Sequence, residues 1–253
     1  QHLGLLVILA LYVIVAVLYG ALIPIFESPD ANGHYAYIHE LTEGRGFPIH
    51  DTPSGERVTG YVAGHPPLYY LLSAAATFWV QDDVDFDDWA RFNPFHAMGN
   101  ADASANKNRL IHTDAESFPW RGTPLTVHIA RLVSTALGTL AITAAYGIVL
   151  ELLPQRRWLA ASAAALTAFN PMFIFTHARV SNDAAVTAFG SLVAWGAVRL
   201  AVRGFSRRGL VLLGAAYGLA ALSKLSGVIL GPALLLALLF DGLRVGHYRI
   251  GHL

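Results

Sequence analysis

Four short stretches of this 253-residue sequence carry side chains whose types and spacing could do chemistry. Glu27-Ser28-Pro29-Asp30-Ala31-Asn32-Gly33-His34 sets a carboxylate and an imidazole four residues apart, so on a helix Asp30 and His34 share a face. Such a pair can act as a general base toward a hydroxyl or as metal ligands; the plainer reading is that Asp30 caps a surface helix begun by Pro29. Gly64-His65-Pro66-Pro67-Leu68-Tyr69-Tyr70 places His65 ahead of a rigid helix start, either facing the same site as Asp30 or anchoring the segment at an interface. Arg131 sits in the first turns of an apolar stretch, where a charge either faces a partner such as a lipid phosphate or snorkels to the interface. Arg179 and Lys224, at the ends of other apolar stretches, invite the same two readings. Ser181-Asn182-Asp183 opens a further stretch, and there capping by Asp183 is a sufficient explanation.

These residues punctuate segments made for lipid. The sequence is 55% hydrophobic and 13% charged, against about a quarter charged residues in a soluble domain. With 17 basic and 17 acidic residues, no global charge points to nucleic acid. Cysteine is absent, which excludes disulfides, thiolate metal sites and cysteine nucleophiles. Leu3 to Ile23 is uncharged and long enough to cross a hydrocarbon core of about 30 Å; its apolar run exceeds a signal-peptide core, so it reads as an uncleaved anchor. Pro24 to Pro124 is water-facing except for Pro66 to Val80, an apolar piece too short to span and rich in interfacial Tyr and Trp. Five apolar stretches follow: Val127 to Leu150, Trp158 to Thr176, Ala184 to Val202, Leu210 to Leu222 and Gly227 to Phe240. Asn170-Pro171 predicts a kink in the second of these, and Ser223 to Ser226 a tight turn or broken helix.

The expectation is an all-α polytopic membrane bundle: one transmembrane domain over 1–253, with about six spans plus an interfacial helix. The first span is 3–23, a loop with an interfacial helix at 66–80 fills 24–125, five further spans fill 126–241, and 242–253 forms a tail. If the Pro66 piece does not span, Arg156, Arg157, Arg203, Arg207, Arg208, Arg244 and Arg249 share one side. By the positive-inside rule that side, with the tail, is cytosolic. The long loop and the turns bearing Arg179, Asp183 and Lys224 are then exoplasmic, and a site is expected on that face. The acidic run from Gln81 to Asp88 lacks the Gly and Glu of a calcium loop and reads as a solvated face. No phosphate loop, HExxH or GxSxG is present.

Taken in order, Ser28-Pro29-Asp30 with His34, then His65-Pro66-Pro67-Leu68-Tyr69-Tyr70, Ala130-Arg131-Leu132-Val133-Ser134, Phe169-Asn170-Pro171 and Ser181-Asn182-Asp183 resemble the polytopic GT-C glycosyltransferases. The relatives are protein mannosyltransferases and lipid A aminoarabinose transferases. The resemblance implies inverting transfer of a sugar from a polyprenyl-phosphate carrier to an exoplasmic acceptor, with Asp30 as base or acceptor-orienting group. It implies that Arg131 supports the first loop or the phosphate and that Lys224 lies near the carrier phosphate, with His34, His65 and Asp183 completing the substrate site. It also implies membrane lipids as partners and a multi-pass place in a bacterial plasma membrane. Many relatives carry Asp-Glu where this chain has Asp30-Ala31, so the paired carboxylate of a divalent-metal mechanism is missing and no metal or other cofactor is expected. Relatives run to more than six spans, so the resemblance implies either an N-terminal portion or a degenerate member. The competing classes are a lipid or small-solute transporter, which would place ionisable groups near the bilayer midplane, and a noncatalytic membrane scaffold.

Overall fold

The computed structural model describes residues 2–49, 59–81, 86–102, 105–204, 206–232 and 234–236. These form nine α-helices: α1 (Leu3–Leu22), α2 (Ala31–Thr42), α3 (Leu68–Thr77), α4 (Phe86–Trp89), α5 (Gly122–Leu152), α6 (Arg157–Ala168), α7 (Pro171–His177), α8 (Asp183–Arg203) and α9 (Arg207–Ser223). Short 3-10 turns occupy Gly60–Gly64, Asp114–Glu116 and Leu225–Ile229. Among the described residues the all-α expectation holds, with more helices than the seven anticipated because the long loop adds α2 and α4 and one expected span divides into α6 and α7, while the last expected span begins as a 3-10 turn.

Among the described residues, helices α1, α5 and α8 are long and apolar enough to cross a membrane, and the bent pair α6 and α7 meets the same length and apolarity when the two are taken together. That pair bends by 63°, where the sequence predicts a kink. Asn170 stops α6 and starts α7, its side-chain oxygen accepting the amides of Met172 at 2.9 Å and Phe173 at 3.2 Å. Helix α9, at 17 residues, is shorter than the other spans. The expected last span begins instead as the Leu225–Ile229 turn. Its end at Phe240, the tail 242–253 with Arg244 and Arg249, and Asp82 to Asp85 of the acidic run lie outside the described residues.

Helix α5 is the central post, with α1, α3, α6 and α8 packed around it. Small residues let the helices approach, as apolar lipid gives no hydrophobic drive between them. Ala160, Ala164 and Ala168, one turn apart on α6, close on Tyr12, Ala16 and Ile142. Leu3, Leu6, Ile14, Leu18 and Leu22 of α1 point outward. At one end of this bundle α1 finishes, α5 starts, α7 finishes, α8 starts and α9 finishes. Arg156, Arg157, Arg203, Arg207 and Arg208 all belong to the other end.

The short helix α3 stays at the first end. Tyr69, Tyr70, Ser73, Ala74 and Thr77 face inward while Leu71, Leu72, Phe78 and Trp79 are exposed, the split of a helix lying along a surface. Arg131, four per cent exposed, serves the same end. Its guanidinium donates to the carbonyls of Gly20, Ile23 (2.7 Å) and Pro24 (3.0 Å), closing the C-terminal turn of α1, where orphan carbonyls favour a cation. Arg131→Met strands these carbonyls and is expected to cost about 2–4 kcal/mol of stability. Thermal unfolding in detergent measures this, and an unchanged midpoint would refute the clamp.

The long loop is pinned by Glu27, which stands outside the Asp30 cluster. It accepts the amides of Arg109 at 3.0 Å and Leu110 at 2.8 Å and meets His112 at 2.9 Å, while His112 reaches Glu116 at 2.8 Å. Burial alone would lower the His112 pKa, but hydrogen bonds and charge from Glu116 and Glu27 raise it above its ordinary 6.5. Burial likewise pushes Glu27 up, but the Leu110 and Arg109 amides and His112 bring it below 4.5. The histidine's share of the clasp is complete below 6.5 and lost as pH rises through the higher folded value. The glutamate's share is complete above 4.5 and lost as pH falls through the lower one. Hydrogen-exchange protection of the Arg109 and Leu110 amides, corrected for intrinsic rates, is therefore expected to peak between those values. A flat profile from about pH 4 to about pH 9 contradicts the clasp.

Candidate functional site

The chain leaves α1 and turns sharply, and Asp30 takes left-handed backbone angles, φ 60° and ψ 6°. Few non-glycine residues adopt these angles, aspartate more readily than most, and such positions gather at functional sites. Asp30 stands just outside α2, with its carbonyl accepting the His34 amide at 3.0 Å. Its side chain makes no capping bond, so the capping reading fails. The exposed carboxylate instead accepts the hydroxyl of Tyr61, which with lesser help from burial pushes that phenol up to about 12. Gly33 allows this meeting: a Cβ there would stand 2.9 Å from Val62 Cγ2, in the turn that carries Tyr61.

His34 and His65 join through one phenol. His34 Nδ1 lies 2.8 Å and His65 Nδ1 3.0 Å from the Tyr70 hydroxyl, and Tyr37 stacks on the Tyr70 ring at 3.8 Å. Burial, then the neighbouring His65, pushes His34 down to about 3. Burial, then Lys224, lowers His65. With both imidazoles neutral, the phenol donates its proton to one and accepts an N–H from the other, a fully satisfied arrangement.

Across from this group lies a charged cluster. Lys224 Nζ is 2.6 Å from Asp183 Oδ1, while Arg179 donates to Asp183 Oδ2 at 3.3 Å and Ser181 Oγ is also 3.3 Å from that oxygen. Asp183 thus spends its carboxylate on two cations rather than on capping α8. Asn182 donates to the Ser223 carbonyl at 3.2 Å, tying the start of α8 to the end of α9 beside Lys224. Tyr69, fully buried, joins the motifs: its hydroxyl meets Ser134 Oγ on α5 at 2.9 Å and accepts the Ser181 amide at 3.1 Å. The fields of Asp30, Arg179 and Asp183 all act at both His34 and Tyr61, and Lys224 acts at His65.

Asp30, His34, His65, Asp183 and Lys224 therefore gather at one end of the bundle, and Arg131 lies beneath them as the clamp on α1. Sequence reasoning passed over Tyr61 and Tyr70 and left Arg179 undecided. Tyr70 stood inside a quoted motif, whereas nothing in the spacing of Tyr61 marks it. Among the described residues, no three His, Asp or Glu side chains group to hold a metal ion.

Apolar spans on a central post, with ionisable groups collected at one end, define an integral membrane protein of the all-α polytopic class. Residues 126–251, about half of the chain, match the family described as dolichyl-phosphate-mannose-protein mannosyltransferase. The resemblance to membrane glycosyltransferases of the GT-C type thus holds over a region that includes Arg131, Arg179, Asp183 and Lys224. No curated protein and no solved structure matches the chain.

Proposed function

We propose that the chain transfers a sugar, with inversion, from a polyprenyl-phosphate carrier to an acceptor hydroxyl on the exoplasmic face of a bacterial plasma membrane. The observation that carries this reading is a carboxylate with no counter-cation partner among the described residues, Asp30, gathered with the paired cations Arg179 and Lys224. In the reaction, Asp30 accepts the acceptor's proton as its oxygen bonds to the anomeric carbon and the bond from that carbon to the phosphate oxygen breaks. The departing carrier phosphate gains negative charge, which Lys224 and Arg179 stabilise. Asp183 holds those two cations together and leaves one net positive charge, matching a singly charged phosphodiester donor. Tyr61 orients the Asp30 carboxylate, and the His34–Tyr70–His65 group forms a neutral wall suited to sugar hydroxyls.

The arginines of the opposite end supply the orientation: by the positive-inside rule that end is cytosolic and the site exoplasmic. A transporter is disfavoured because the middle turns of α1, α5 and α8 carry no Asp, Glu, Lys or Arg. The test is release of labelled sugar from a panel of polyprenyl-phosphate donors by the purified protein, with Asp30→Asn as control. Release above that control supports the reading; none from any donor overturns it.

A further inference from the structure

At the end of the bundle remote from the site, α8 and α9 line a cavity of about 620 Å³ that no part of the proposed transfer reaction uses. Its walls are Leu192, Leu213, Ala216 and the ring of Trp195, and Arg199, Arg203 and Arg208 stand among its lining residues. Glu151, at the end of α5, is nearly buried and takes Arg199 Nη1 at 2.9 Å and Arg203 Nε at 2.6 Å. Each guanidinium has five N–H donors, so most remain unspent by that one carboxylate. Arg208 makes no ion pair among the described residues, and three arginines against one carboxylate leave two positive charges at the cavity.

Two further features point to a ligand with both polar and apolar parts. The ring of Trp195 supplies a rigid apolar wall, fixed by Gly147 of α5, where a Cβ would meet it at 2.3 Å. The first turn of α9 also points its amides toward this end, and a helix N-terminus favours an anion. Basic pockets between spans at the membrane boundary suit phosphate headgroups, whose acyl chains continue into the bilayer.

We infer that this cavity is a binding site for an anionic phospholipid of the leaflet opposite the transfer site. Its phosphate meets Arg203 and Arg208, and the upper part of one acyl chain lies against Leu192, Leu213 and Trp195. The cavity is too small for a whole phospholipid, so the rest of the molecule stays in the bilayer. The inference is independent of the sugar chemistry.

Native mass spectrometry of the purified protein in detergent tests it, with phosphatidylglycerol, phosphatidylcholine of the same chains, and glycerol 3-phosphate as probes. One phosphatidylglycerol per chain is expected, retained at least about fivefold over phosphatidylcholine, with glycerol 3-phosphate failing to displace it. Arg208→Glu should lower phosphatidylglycerol retention about tenfold or more and leave phosphatidylcholine unchanged. Leu212→Trp, a substitution at an exposed lining position, should block the mouth for the lipid; it decides the matter if Arg208→Glu lowers the unfolding midpoint in lipid-free detergent. Equal retention of the two lipids, displacement by glycerol 3-phosphate, or wild-type retention in a folded variant overturns the site.

Discussion

Asp30→Asn is expected to lower the rate of sugar transfer by about 10²- to 10⁴-fold, the range a positioned general base contributes. The substitution nearly preserves shape, and the new amide oxygen still accepts the Tyr61 hydroxyl, so the left-handed turn and α2 keep their supports. What disappears is the basic oxygen that takes the acceptor's proton in the proposed reaction. Donor binding, which the proposed mechanism assigns to Lys224 and Arg179, should change by less than about threefold, placing the loss in kcat rather than KM. Single-turnover transfer by purified protein separates the two. Transfer by the Asn variant within a factor of about three of wild type removes Asp30 from the mechanism.

Lys224→Met is expected to reduce kcat/KM by about 10²- to 10³-fold, the cost of removing a preorganised group aimed at developing charge. The lysine ends α9 and reaches Asp183 at 2.6 Å, while Arg179 holds the other oxygen of that carboxylate. Removing the ammonium therefore leaves Asp183 with one cation, and the tie from Asn182 to Ser223 persists. Lys224→Arg, which restores charge with a different shape, should recover part of the loss. A merely structural lysine would behave otherwise: the Met variant would unfold at lower temperature, yet its folded fraction would transfer at the wild-type rate.

Part of this arrangement was legible residue by residue. Asn170-Pro171 announced the bend between α6 and α7, because the missing amide and the side-chain cap act within one turn. The Pro66 segment announced a surface helix, because its length and its aromatic residues are local properties. From its local pattern Asp183 reads as a cap, and only the family resemblance places it in the site, because its lysine partner lies 41 residues away. Asp30 was offered as a cap for the same reason: the phenol that claims it belongs to a turn whose approach depends on Gly33. For Arg131 the sequence leaves open a partner or snorkelling to the interface, and the structure supplies main-chain carbonyls as partners, which no side-chain pattern reveals.

Composition and the spacing of apolar runs by themselves determined a membrane bundle with its chemistry collected at one end, since lipid demands long uncharged helices and expels charge to their ends. Only the tertiary structure decided which of those charges meet. The Tyr61 bond to Asp30, the Tyr70 bridge between His34 and His65, and the sharing of Asp183 by Arg179 and Lys224 all join residues on different elements. Short-range forces act only after packing has brought those elements within a few ångströms, and helix periodicity carries no record of that approach.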